Sequence, residues 1–348
     1  MPTVRAQAVQ VVHTCEALAR RGHEVTLLAD RVGGASPEAS MTPDQALSWY
    51  GLTRPPSFRL QLAPTAWPPG AGLWFRAQLW AWCRGGPGIV YARAKRYISL
   101  VPDSIPVVLE AHEVDSELDR EADRDPSAHL QLESKVLSRV KAVATNCSGT
   151  LQLLDAVHGP LPPSRVIHNG TRADRQVELH PSATPVVGYT GSPRRYKGLD
   201  TALASVSDWP VGVALELVGE RPDWELPERV RWRQAVPYPQ LPALLATYHA
   251  LLLPLDDNLF GRHLTSPLKL WDYLATGLPV IAADLPTTRE IGGERLYYYT
   301  PGDTGSLAAA VRRALDAGPG APRLRTWDDR AAEIEALLQT VLVGGTGS

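Results

Sequence analysis

Residues 266–285, SPLKLWDYLATGLPVIAADL, read as one helix followed by one buried strand. Thr265-Ser266-Pro267 is a helix start, with Pro267 near the first helical position, where a missing N–H costs nothing. Leu268, Trp271, Leu274 and Ala275 supply the apolar face, Gly277 closes the helix, and PVIAAD (279–284) is the strand. A helix N-terminus offers unpaired N–H groups and a positive dipole end, a natural seat for a diphosphate. Asp272 lies two turns in, about 9 Å along the axis. That is within reach of a ribose carried by the diphosphate, and a carboxylate accepts both ribose hydroxyls. An ordinary strand–helix–strand crossover with a solvated aspartate fits the same spacing.

The rest of the chain repeats this grammar of short apolar runs and helical patterns, the signature of parallel sheets. Residues 6–21 place Ala8, Val11, Val12, Cys15, Leu18 and Ala19 on one helical face. Strands are expected at 24–29, 89–92, 106–111, 142–146 and 165–169, with a Pro- and Trp-rich stretch over 53–87 and a helix near 128–141. A second set of strands covers 185–191, 213–219, 229–233, 250–255, 279–284 and 296–300, and helices separate most of them. The expected architecture is α/β, with two Rossmann-like domains facing each other across a central cleft and ligands at the carboxyl ends of the strands. The domains are placed at 1–170 and 185–325, with a polar linker at 171–184 and a last helix in 326–348 crossing back to the first domain. Helical periodicity starts almost at Met1, so no strand precedes the first helix. About ten residues of strand and turn are therefore expected upstream of Met1 in the native protein.

Composition narrows the function classes. The chain has 348 residues, 44% of them apolar, which suits two cored domains. A formal net charge of -2 argues against nucleic acid as a principal partner. Cys15, Cys83 and Cys147 lie far apart without CxxC spacing, which reads as a reduced cytoplasmic protein without disulfides or a zinc site. No apolar run is long enough to span a membrane. In GLWFRAQLWAWCRGG (72–86), aromatics flanked by Arg76 and Arg84 suit either a helix packed on its own domain or a peripheral contact with the inner face of the membrane.

The 266–285 stretch looks like the donor-binding segment of glycosyltransferase family 4, in the SPLK-type branch of the group-1 enzymes. RGHEVTLL (21–28), RVIHNG (165–170), GYTGSPRRYKGLD (188–200), ELVGE (216–220) and YTPGD (299–303) each resemble a family element, in the family's order. The resemblance spans nearly the whole chain. It implies the GT-B fold and a retaining, metal-independent transfer of a sugar from a nucleoside-diphosphate donor to a glycan, lipid-linked or small-molecule acceptor. The nucleotide sugar is a co-substrate, and no cofactor or metal is implied.

Carried onto this sequence, the resemblance makes Asp272 the ribose carboxylate, one methylene shorter than the family's Glu. The family's sugar-binding Glu, eight positions earlier, is Leu264 here. Lys197 matches the phosphate lysine, whereas Ser192 stands where the family has an arginine, leaving Arg194 or Arg195 to substitute. Fixed cations there stabilise charge that grows on the leaving group, which is how such groups accelerate a reaction. Gly191, Ser192, Gly219, Arg262, His263, Thr265, Ser266, Pro267 and Leu268 complete the expected donor set. His112, in EAHEVD (110–115), matches a family cleft histidine near the donor sugar, so His112, Lys197 and Arg195 are the expected catalytic residues. Glu113 and Asp115, with Arg5 and Gln7 in place of a Gly-Gly turn, are the acceptor-side candidates. Asp123-Arg124-Asp125 is formally a DxD, but it lies in a charged, solvated stretch and is read as structural. The departures at 192, 264 and 272 also fit a degenerate nucleotide-sugar-binding protein, and a sugar-nucleotide epimerase shares the fold.

Overall fold

The computed structural model describes residues 6–30, 41–63, 71–172, 178–193 and 197–344. The chain forms two compact units. One comprises Met1–His168 with Trp327–Ser348, and the other comprises Asn169–Thr326.

In the first unit, β1 (Val25–Asp30) pairs in parallel with β2 (Phe58–Ala63). A separate parallel sheet runs β3 (Val90–Ala92), β4 (Val107–Ala111), β5 (Ala142–Thr145), β6 (Ser164–Val166). The strand β2 lies inside the Pro- and Trp-rich stretch where none was expected. Its FRLQLA alternates, with Phe58 and Leu60 buried and Arg59 and Gln61 exposed, which is a strand with one covered face. The strand expected at 165–169 is shorter, ending at Val166.

The helix Ala6–Arg20 buries polar side chains as well as its apolar ones, including Gln10, His13 and Thr14. It packs against the last helix, Trp327–Gly344, where the His13 and Trp327 rings stack at 5.5 Å. The helix Ala71–Cys83 buries Leu79 and Cys83 and leaves Leu73, Trp74 and Trp80 exposed, with Arg84 lying 4.3 Å over the Trp80 ring. No helix among the described residues is long and apolar enough to cross a membrane.

The second unit is built on one six-stranded parallel sheet. Its strands are β7 (Val186–Thr190), β8 (Ala214–Gly219), β9 (Val230–Gln234), β10 (Ala250–Leu253), β11 (Val280–Ala283) and β12 (Tyr297–Tyr299). The spatial order is β12-β11-β10-β7-β8-β9. Strands covered on both faces read as continuous apolar runs, which is why this half was legible. Along β10, Ala250 and Leu252 enter one core while Leu251 and Leu253 enter the other.

The segment expected as a linker lies within this unit. Thr171 N donates to Arg325 O at 2.8 Å, and His180 N and Ser182 N donate to Ala246 O and Thr247 O.

The strand order places β7 and β10 side by side while the chain leaves them in opposite directions. A crevice forms at the carboxyl ends of strands at such a switch point, and ligands of open α/β sheets bind there.

Candidate functional site

β7 ends at Thr190 and hands over to Gly191 and Ser192. Gly191 has φ +135°, a conformation that favours glycine, and its N–H donates to Val218 O at 2.8 Å. On the neighbouring strand, a Cβ at Gly219 would fall 2.1 Å from Gly191 O, so only glycine lets the two strand ends close. Tyr189 Oη donates to Ser192 O at 2.8 Å, and Lys197 Nζ donates to Ser192 Oγ at 2.8 Å. A turn, a hydroxyl and an ammonium are thus held together at the end of β7. From β10, the half-buried Asp256 accepts from the Gly198 N–H, tying the ends of the two switch-point strands; burial raises its pKa.

The helix expected at 267–276 spans Leu268–Leu274, with Pro267 just outside it as the capping residue. Proline sits there without cost because its nitrogen would find no partner in the helix. Tyr273 anchors this helix to β7, accepting from Thr190 N at 2.9 Å and meeting Thr190 Oγ1 at 3.0 Å. One turn earlier, Lys269 Nζ lies 4.1 Å from the centre of the Tyr189 ring. Neither Tyr273 nor Lys269 was singled out from the sequence. Both are at helical spacing, and such pairs read first as packing.

Two predicted donor residues are placed differently from expectation. Asp272 is buried, 2% exposed, and its carboxylate accepts from Thr171 Oγ1 and, at 3.2 Å, from Tyr238 Oη. An aspartate one methylene shorter than glutamate stays inside the unit, bonded to protein hydroxyls rather than standing open for a ribose. Arg262 is exposed and forms a bidentate ion pair with Asp257, so its guanidinium is engaged at the surface. Arg262 and half-exposed His263 sit in a single π-helical turn, Phe260–Leu264, in which Leu264 is buried.

Thr265 and Ser266 are buried and Leu268 half-buried. Ser266 Oγ and Asn169 Oδ1 are buried and find no hydrogen-bond partner among the described residues, while Asn169 Nδ2 donates to Ser266 O at 2.8 Å. Two orphaned polar atoms beside the helix start are costly unless something else meets them. Ser266→Ala should therefore leave stability unchanged or raise it by up to about 1 kcal/mol while weakening affinity for the nucleotide sugar that the resemblance implies about threefold to tenfold. Paired thermal melts and titrations read both quantities; a fall in stability with unchanged affinity contradicts this assignment.

In the first unit, His112 follows β4 and its Nε2 lies 2.7 Å from Glu110 Oε1. Glu110 is a buried hub that also accepts from Gln10 Nε2 at 2.8 Å and from Arg330 on the last helix. Burial holds the His112 imidazole below its ordinary range, against the upward pull of Glu110. Gln10, Glu110 and Arg330 were not predicted, since contacts between residues 10, 110 and 330 leave no local signal.

Of the acceptor-side candidates, Glu113 is exposed and only its backbone oxygen accepts from Lys95, at 2.8 Å. Asp115 pairs with Lys95 Nζ at 2.8 Å, which also holds Glu133. Gln7 is exposed on the first helix. Arg5, Arg194 and Arg195 lie outside the described residues. In the DxD-like stretch, Asp125 accepts from Ser127 N and Oγ at the start of the next helix.

Two parallel-sheet units, one with a glycine turn and a lysine at its switch point, define an α/β protein of the Rossmann-like class. Residues 7–175 match the family described as Glycosyltransferase Family 4, and residues 184–317 match Glycosyl transferases group 1. The chain belongs to these family-4, group-1 glycosyltransferases, and its fold is GT-B. Among solved structures it is similar to sucrose-phosphate synthase from Thermosynechococcus elongatus, at 18% identity and TM-score 0.77, covering 98% of this chain and 94% of that one. HepE from Anabaena in complex with UDP and glucose gives 14% identity, TM-score 0.70 and 98% coverage of both chains. WaaG, a glycosyltransferase involved in lipopolysaccharide biosynthesis, gives 15% identity and TM-score 0.63, covering 99% of this chain and 96% of that one. A search of curated protein sequences found no match.

Proposed function

We propose that the chain transfers a sugar from a nucleoside-diphosphate donor to a glycan, lipid-linked or small-molecule acceptor, with retention and without a metal. The observation that carries this reading is the Lys197–Ser192 contact at the carboxyl end of β7, beside the switch point. A cation fixed there meets charge that develops on the departing diphosphate, so it acts more strongly in the transition state than in the ground state. The UDP and glucose in the HepE structure support a uridine donor as the first to test. His112, oriented by Glu110, is the group of the first unit assigned to the donor sugar. The exposed Leu73, Trp74 and Trp80 favour a lipid-linked acceptor and a peripheral contact with the membrane. Sparse free cysteines support a cytoplasmic setting.

Buried Asp272 and apolar Leu264 favour a second reading, a binding protein that has lost turnover. A screen of nucleotide sugars separates the two. Slow donor hydrolysis, rising when an acceptor is added, supports the transferase. Tight binding with no hydrolysis or transfer supports the degenerate protein, and no binding to any nucleotide sugar overturns both.

A further inference from the structure

Ser192 stands at the position where the resemblance implies an arginine reaching the diphosphate. The structure brings a second ammonium to the same turn from another element. Lys269 Nζ lies 2.7 Å from the point a Cβ on Gly191 would occupy, and Lys197 Nζ reaches the adjacent Ser192 Oγ. The two lysines thus bracket Gly191-Ser192, one from the loop after β7 and one from the 268–274 helix.

Lys269 is fixed in this place. Tyr273, one turn along the same face, is bonded to Thr190, and the Tyr189 ring lies beneath the Lys269 ammonium. Tyr189 is in turn tied to Ser192 O, so ring, turn and lysine form one rigid corner. Among the described residues the Lys269 ammonium donates to no oxygen and pairs with no carboxylate. The nearest acid on its helix, Asp272, is bonded to Thr171 and Tyr238. Burial, and then Lys197, hold the Lys269 ammonium well below its ordinary range. A half-buried ammonium beside another, with only a ring for company, is unfavourable until an anion enters between them.

We propose that Lys269 is a second phosphate-binding catalytic residue, gripping with Lys197 the distal phosphate of the nucleoside diphosphate and stabilising it as the sugar departs. This rests on the nucleotide-sugar reading above. It assigns to the 268–274 helix the role that the resemblance gives to an arginine at position 192.

The test compares nucleoside diphosphates with their monophosphates, using UDP against UMP, ADP against AMP and GDP against GMP, on the full chain. Titrations of wild type, Lys269→Met and Lys269→Gln are run beside thermal melts. In wild type the diphosphate binds more tightly than its monophosphate. Both variants should lose about tenfold or more of that preference while monophosphate affinity and melting temperature hold, because the lost contact is to the distal phosphate. A diphosphate preference unchanged in both variants overturns the role of Lys269 and leaves the nucleotide-sugar reading standing. Equal loss of monophosphate and diphosphate affinity also overturns it, marking Lys269 as a packing residue. If wild type binds none of these nucleotides, the nucleotide-sugar reading fails, and this inference with it.

Discussion

Lys197→Met should lower kcat for nucleotide-sugar turnover by about 10²–10³-fold, the loss typical of removing one preorganised charge-stabilising group. The expectation follows from position. Lys197 Nζ is held on Ser192 Oγ at the end of β7, where a diphosphate at the switch point would lie. A group that meets charge only as the sugar–phosphate bond breaks affects kcat and kcat/KM together, whereas one that merely holds the donor raises KM. Initial rates of nucleoside-diphosphate release, measured over a range of donor concentrations, separate these cases. A variant with wild-type kcat and a raised KM would show that Lys197 binds the donor without assisting departure. Circular dichroism of the variant checks that the fold is intact, and the part-exposed position of Lys197 makes a folding defect unexpected.

Arg330→Met should cost on the order of 3–5 kcal/mol at neutral pH, the range for breaking a buried ion pair by removing one partner. Arg330 is 1% exposed, donates to Ile167 O at 2.7 Å, His168 O at 3.0 Å and Thr14 Oγ1 at 3.1 Å, and pairs with the Glu110 carboxylate. Its loss removes a donor from two backbone carbonyls and the guanidinium partner from the buried Glu110 carboxylate at once. Burial alone would raise the pKa of Glu110, but Arg330, His112 and Arg93 outweigh it and hold the carboxyl well below the ordinary range. A carboxyl depressed in the folded state contributes stability above its unfolded pKa, about 4.3, and loses it as pH falls through the folded value. In the variant that support is gone and Glu110 takes up a proton more readily. The gap between wild type and variant should therefore be widest near neutrality and narrow in acid. Denaturant melts from pH 8 to pH 4 measure it. A gap that is constant with pH would show that the loss is one of packing alone.

The parts of this molecule that could be read from sequence share a physical reason. Strands such as VVGYT and ALLL are covered on both faces, so their apolar runs stand out, and Gly191 after the first of them marks a turn. The Lys197–Ser192 contact joins residues of one short stretch, because turn and lysine are contiguous in the chain. By contrast, β2 was hidden by flanking prolines and by polar residues on its open face. Asp272 was expected at the ligand because spacing along a helix gives position but not company. Thr171 and Tyr238, which hold it, come from distant parts of the chain. Lys269 was passed over for a related reason, since a lysine beside an apolar helical stripe reads as its solvated edge. Only the anchoring of Tyr273 on Thr190 turns it toward the Gly191 turn.

A crystal structure of the chain with UDP or UDP-glucose will show whether a nucleoside diphosphate sits at the end of β7. The distal phosphate is expected within hydrogen-bonding distance of Lys197 Nζ, beside the Gly191-Ser192 turn and against the start of the 268–274 helix. A diphosphate bound elsewhere in the second unit, with Lys197 still turned to Ser192 and away from it, would contradict that placement.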